Sequence, residues 1–182
     1  MPVGSEIAWV SGAHTYMTMY APPAGTAMAR KTLKLTSDLV PETSWYKNLR
    51  KQMRPSQWDR LRKRIYADQG NVCRICRAAD KLNCHEVWKY DDQRHVQKLI
   101  GFHAVCSMCH HVAHFGKARI LARQGHLDLD AVIEHFMRVN GVSRDVFEAH
   151  KAEAFRIWRE RSKQEWKTDL GEWASLVAEK TD

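Results

Sequence analysis

Val72-Cys73-Arg74-Ile75-Cys76 and, further on, Val105-Cys106-Ser107-Met108-Cys109-His110-His111-Val112-Ala113-His114-Phe115 decide how the rest of this chain is read. Each C-x-x-C places two sulfurs on one side of a tight turn. Two such knuckles can close a tetrahedral thiolate site at the Zn–S distance of about 2.3 Å. The reading is a structural zinc on Cys73, Cys76, Cys106 and Cys109. Disulfides compete with it, but the N-terminus carries no basic and apolar leader, and a chain kept in a reducing compartment rarely holds them. A thioredoxin-like redox pair would need βαβ surroundings, which the flanking residues do not offer.

The histidines are a second signal. His110 and His114 are spaced i, i+4, so on a helix both imidazoles face the same way and can reach one ion. Cys84 and His85 stand upstream of the second knuckle. Four thiolates already complete a zinc, so the spacing predicts a second metal site; the competing reading leaves the histidines with the zinc or on an ordinary polar face.

Working outward, Leu82 to Trp88 reads as a strand, Asp91-Asp92 as a turn, and about Val96 to Val105 as a second strand. A helix should start near Ser107 and run through His110 and His114, giving strand, strand, helix. Upstream, residues 45–64 contain eight basic residues and one acidic residue, so they carry most of the +8 net charge of the 182-residue chain. Lys47, Arg50, Lys51, Arg54, Arg60, Arg62, Lys63 and Arg64 alternate with Trp45, Tyr46 and Trp58, a composition suited to a polyanion, with nucleic acid as the leading partner. A solvated basic helix without a ligand is the bland alternative. Residues 44–54 read as a short helix ended by Pro55. A second helix follows, with a capping box at Ser56-Gln57-Trp58-Asp59 and a stop at Gly70. Its aromatic residues read as core anchors.

The ends of the chain are less informative. Residues 1–43 read as a flexible arm, broken by Pro22-Pro23-Ala24-Gly25, with Met28 an alternative start for the core. Residues 125–182 read as helical: Leu127 to Val139 and Ser143 to about Lys167, with breaks at Gly125 and Gly141. Asp145, Glu148 and Glu153 near the start of the longer helix and Arg159, Arg161, Lys163 and Lys167 near its end suit the helix dipole. This extension reads as packing or docking surface for a second copy or a protein partner, with no chemistry of its own. Hydrophobic residues at 44% and charged residues at 27% are ordinary globular usage, which excludes collagen-like and wholly disordered chains. No run approaches the about 18 to 20 apolar residues of a membrane span, so no membrane partner and a cytoplasmic location are expected.

Val72 to Phe115 resembles the HNH, or ββα-metal, endonuclease motif in its zinc-stabilised form. The matching residues are the knuckle at Cys73 and Cys76, His85 on the first strand, and Cys106 to His114, which follow the family's L-C-x-x-C-H-x-x-x-H. The resemblance implies an α+β chain. Its ββα-metal module, at 71–124, would be flanked by the basic helical segment at 44–70 and by the helical extension. It also implies hydrolysis of DNA phosphodiester bonds, leaving 5′-phosphate and 3′-hydroxyl ends. His85 would be the general base, and His110 and His114 would hold a divalent ion: Mg²⁺, Mn²⁺, Ni²⁺ or Zn²⁺.

Two positions depart from the pattern. Cys84 stands where the family has an Asp or His ligand of the catalytic ion, and Glu86, two residues on, could supply a hard oxygen in its place. Gly101 stands where the family has the Asn that orients the base, leaving that task to His103 or a main-chain carbonyl. These departures keep two other functions open: a zinc-stabilised DNA-binding module with a degenerate histidine site, and a defence effector that acts only with a partner.

Overall fold

The computed structural model describes residues 32–44 and 49–178. Lys47, Trp45, Tyr46, most of the expected arm and the start at Met28 lie outside them. From Lys34 onward the residues form one compact α+β unit. Its centre is a long hairpin, β1 (Leu82–Asp91) and β2 (Val96–Cys106), to which β3 (Lys167–Asp169) adds in parallel along Val96 to Lys98. Around it lie α1 (Leu49–Gln52), α2 (Pro55–Asp68), α3 (Ser107–Ala113), α4 (Phe115–Arg123), α5 (Leu129–Asn140), α6 (Arg144–Arg161) and α7 (Ser175–Ala178). Among the described residues, no helix is long and apolar enough to cross a membrane.

Strand alternation gives the hairpin two different faces. Leu82, Cys84 and Trp88 of β1, with Leu99, Phe102 and Ala104 of β2, pack against Trp58, Leu61 and Ile65 of α2 and against Leu49 and Met53. Trp58 is thus a core anchor, edge-on to Phe102 at 6.4 Å. Leu99 and Phe102 can share a face because the register shifts between them: Val87 pairs with Gly101 and Trp88 with Leu99, leaving Ile100 as a bulge. Gly101 has φ +153°, a value L side chains rarely adopt. An L side chain at this position would have to reshape the bulge.

Several boundaries differ from the sequence reading. A short helix does precede Pro55, but α1 ends at Gln52, Arg54 before the proline is extended (φ −66°, ψ 143°), and Pro55 is itself the first residue of α2, where its missing N–H costs nothing. The N-cap is Arg54 rather than Ser56, and its N–H is taken by Gln57 Oε1 at 3.0 Å. The helix through the histidines breaks at His114 (φ −98°, ψ 48°), and α4 continues from there. The last long helix stops at Arg161, six residues short of Lys167, because Trp166 turns back to donate its Nε1–H to Arg161 O at 2.8 Å and the chain enters β3.

Residues 34–43, expected in a flexible arm, are held instead. Leu35 and Ser37 are buried, Ser37 Oγ donates to Val112 O, Asp38 N to Ala113 O, and Trp158 Nε1 to Val40 O. Asn140, buried at the end of α5, accepts from Lys34 N (2.8 Å) and Leu35 N (3.0 Å) and donates to Leu35 O (2.9 Å). Truncating it strands the buried N–H and C=O of Leu35 and frees the part-buried N–H of Lys34. Asn140→Ala is therefore expected to cost about 3 kcal/mol, seen in urea titration as a lower midpoint at unchanged slope.

Candidate metal centres

The first knuckle is placed by the free edge of β2. Beyond β3, the outward groups at Phe102 and Ala104 need partners. Gln69 at the end of α2 takes two of them, donating to Phe102 O and accepting from Ala104 N, each at 2.9 Å. Arg74 N takes Ala104 O at 2.8 Å, which lays the Cys73–Cys76 loop beside the end of the strand. Arg77 closes that loop in a left-handed conformation (φ 66°), its N–H on Cys73 O at 2.9 Å. At the second knuckle Cys106 is the N-cap of α3, its sulfur 3.5 Å from Cys109 N.

The two knuckles meet. The Sγ atoms of Cys73, Cys76, Cys106 and Cys109 all lie within 4.8 Å of one another, with Cys76 and Cys106 at 3.6 Å, and none of the four is in a disulfide. Burial, and then the three neighbouring sulfurs, pushes the Cys109 thiol far above its ordinary range, and burial raises Cys106 to about 11. Four sulfurs this close cannot all carry charge unless a cation lies among them, so the donor set fits a zinc-like ion.

The second group sits on the other face of the hairpin from α2. His85 of β1 points toward α3, and its ring centroid is 5.6 Å from that of His110 and 4.9 Å from that of His114; His110 and His114 are 4.6 Å apart. One nitrogen from each lies within 4.8 Å of the others. The break after α3 serves this: His114 keeps its N–H on His110 O at 3.0 Å while its backbone leaves helical geometry. Burial, with smaller contributions from neighbouring cationic and imidazole groups, pulls all three rings down to about 3, so they are neutral and offer lone pairs. His85 Nδ1 is buried without a hydrogen-bond partner. A buried histidine with an unpartnered nitrogen, belonging to a three-histidine donor group, fits a metal ligand.

Two candidate ligands are not brought here. Cys84 lies on the α2 face, packed in that core, and burial pushes its thiol up to about 12. Adjacent residues of a strand point to opposite faces, so Cys84 and His85 cannot hold the same ion. Glu86 shares the face of Cys84, and its carboxylate accepts from Leu49 N (2.9 Å) and Trp88 Nε1 (3.2 Å), a structural role. His103 is the cross-strand partner of His85 but takes no hydrogen bond from His85 Nδ1, and among the described residues no main-chain carbonyl does so either.

The basic residues also lie apart from the histidines. Arg54, Arg60, Lys63 and Arg64 are exposed along α2, as are Arg50 and Lys51 on α1, while Arg62 is half-buried and bound to Asp59 at 2.7 Å. All belong to the layer that covers the opposite face of the hairpin. On the histidine side, a cleft of about 320 Å³ opens beside His114, walled by Val40, Ile120, Phe155 and Trp158, with Lys117 exposed at its lining.

One contact comes from a segment in which the sequence showed no chemistry. His135 of α5 puts Nε2 3.1 Å from Cys109 Sγ, and its Nδ1 is 3.0 Å from a guanidinium nitrogen of Arg138. Nothing in the spacing singles out His135, which lies 26 residues beyond Cys109 on an ordinary amphipathic helix. No family model matches the chain, and neither the curated proteins nor the solved structures searched contain a match, so both donor groups are read from their own chemistry.

Proposed function

We propose that this protein is a metal-dependent endonuclease of the HNH type that hydrolyses DNA phosphodiester bonds, with a zinc on the four cysteines holding the frame. The observation that carries the reading is the convergence of His85, His110 and His114 on one point, separate from the thiolates, on a hairpin followed by a helix. Three neutral imidazoles leave open positions on an ion, the arrangement of a catalytic rather than a structural site. Bound there, a divalent ion would supply positive charge to the phosphate and the departing oxygen.

The chain's own residues set the rest. His110 and His114 hold the ion from α3 and its terminus. His85, for which the resemblance implies the role of base, joins them as third ligand in this reading, because its donor atom lies within 4.8 Å of theirs. Lys117, on the same side, is placed to attract the phosphate backbone. The hydrolysis adds water across the P–O3′ bond and leaves a 5′-phosphate and a 3′-hydroxyl.

Plasmid cleavage in metal-stripped buffer, with Mg²⁺, Mn²⁺, Ni²⁺ or Zn²⁺ restored singly, tests the proposal. Nicking or linearisation that depends on the added ion is expected; no cleavage with any of the four would overturn it. The separate basic layer on α1 and α2 favours a second reading, a zinc-stabilised DNA-binding module. If it binds DNA, Arg60→Glu combined with Lys63→Glu should weaken binding at least tenfold in about 0.1 M salt and flatten the salt dependence by about two charges. Metal content should stay unchanged. Equal affinity of wild type and variant would remove that face as a contact.

A further inference from the structure

Cys109 is fully buried among the four sulfurs, and the group that reaches it comes from outside the hairpin and α3. His135 is itself 5% exposed. Its Nδ1 faces the guanidinium of Arg138, one turn along α5. A guanidinium has five N–H donors and no acceptor, so the nitrogen it meets must be the acceptor and carry no hydrogen. The ring hydrogen is then on Nε2, and Nε2 is aimed at the sulfur.

We infer that Arg138 fixes the tautomer of His135 so that the Nε2–H donates to the Cys109 thiolate, making the pair an outer clamp on the four-cysteine metal site. The inference rests on the zinc reading of that group and not on nuclease activity. Four thiolates and one Zn²⁺ leave two net negative charges in a buried place, and an N–H donor backed by a cation spreads that charge. A sulfur that accepts a hydrogen bond is also a weaker nucleophile, so it exchanges its metal and reacts with alkylating reagents more slowly. The clamp ties α5 to the knuckle that starts α3. The C-terminal extension is thereby part of the zinc site and not only packing against it.

The test uses the full chain loaded with zinc, comparing wild type, His135→Gln, His135→Phe and Arg138→Met. Imidazole ¹⁵N spectra of the wild type should show His135 protonated on Nε2 alone, and Arg138→Met should shift that signature toward a tautomer mixture. Arg138 is exposed, so its replacement leaves the core intact. Competition with a chromogenic chelator should show about 10- to 100-fold weaker zinc binding in His135→Phe. His135→Gln, whose amide N–H can reach the sulfur, should recover most of it. A wild-type ring protonated on Nδ1 would overturn the inference, as would zinc affinity in His135→Phe within twofold of wild type. A wild type that binds no zinc would remove the four-cysteine reading and the clamp with it, whatever the cleavage assay gives.

Discussion

On the endonuclease reading, His110→Ala and His85→Ala should each abolish metal-dependent DNA cleavage, by about a thousandfold or more, while the metal content of the four-cysteine group and the fold are retained. The size follows from the chemistry: charge stabilisation by the ion is worth several kcal/mol, and about 4 kcal/mol is a factor of a thousand in rate. The two variants also separate the possible roles of His85. As a ligand, its loss weakens binding of the second ion, as loss of His110 does, because its donor atom belongs to the same group within 4.8 Å. As a base, its loss would leave ion binding at the wild-type level and remove only rate. Isothermal titration with Mn²⁺ or Ni²⁺ beside the cleavage assay reads the difference. His111→Ala is the control: His111 sits next to His110 but outside the donor group, so cleavage should persist. Wild-type rates in both His85→Ala and His110→Ala would rule out this centre as the site of hydrolysis.

What could be read in the sequence was local. The two knuckles, the hairpin and the start of α3 are specified within a few residues by spacing, turn residues and alternation, and each appears close to the expected position. The i, i+4 pair at His110 and His114 does share a site, although the helix breaks at His114 to allow it. Long-range contacts left no such mark. Leu35 and Ser37 are held by Asn140, His150 and Val112, partners at least 75 residues away in the chain. The aperiodic, proline-broken residues before it extend the arm reading over this segment. Cys84 is a candidate only through its place in the resemblance, and Glu86 only through sharing its face of the strand; the same alternation puts both opposite His85, on the face covered by α2. The basic residues of 50–64 share a composition with nucleic-acid contacts, but only the packing of α2 reveals that they lie behind the hairpin as seen from the histidines.

If the four cysteines hold a zinc-like ion and the histidines a second one, removing the first should do more damage than removing the second, and in one direction only. Cys73 and Cys109 are fully buried and Cys106 nearly so, and their sulfurs join a loop to the end of β2 and the first turn of α3. A structural site of this kind contributes its binding energy to folding. Cys73→Ser, or a strong chelator at neutral pH, should cost more than about 4 kcal/mol. For a chain of this size that lowers Tm by about 8 to 16 °C. Because α3 starts at the second knuckle and carries His110, the histidine centre should fail with it: Cys73→Ser is expected to bind neither ion and to cut nothing. The reverse does not hold. His110→Ala removes a partly buried imidazole outside the four-sulfur group, so its zinc content, and its Tm in the absence of the second ion, should match the wild type. Differential scanning calorimetry with metal analysis of both variants checks the asymmetry. A Cys73→Ser protein with wild-type Tm that still holds one ion on its histidines would show that the two centres are independent and that the cysteines do not build the frame.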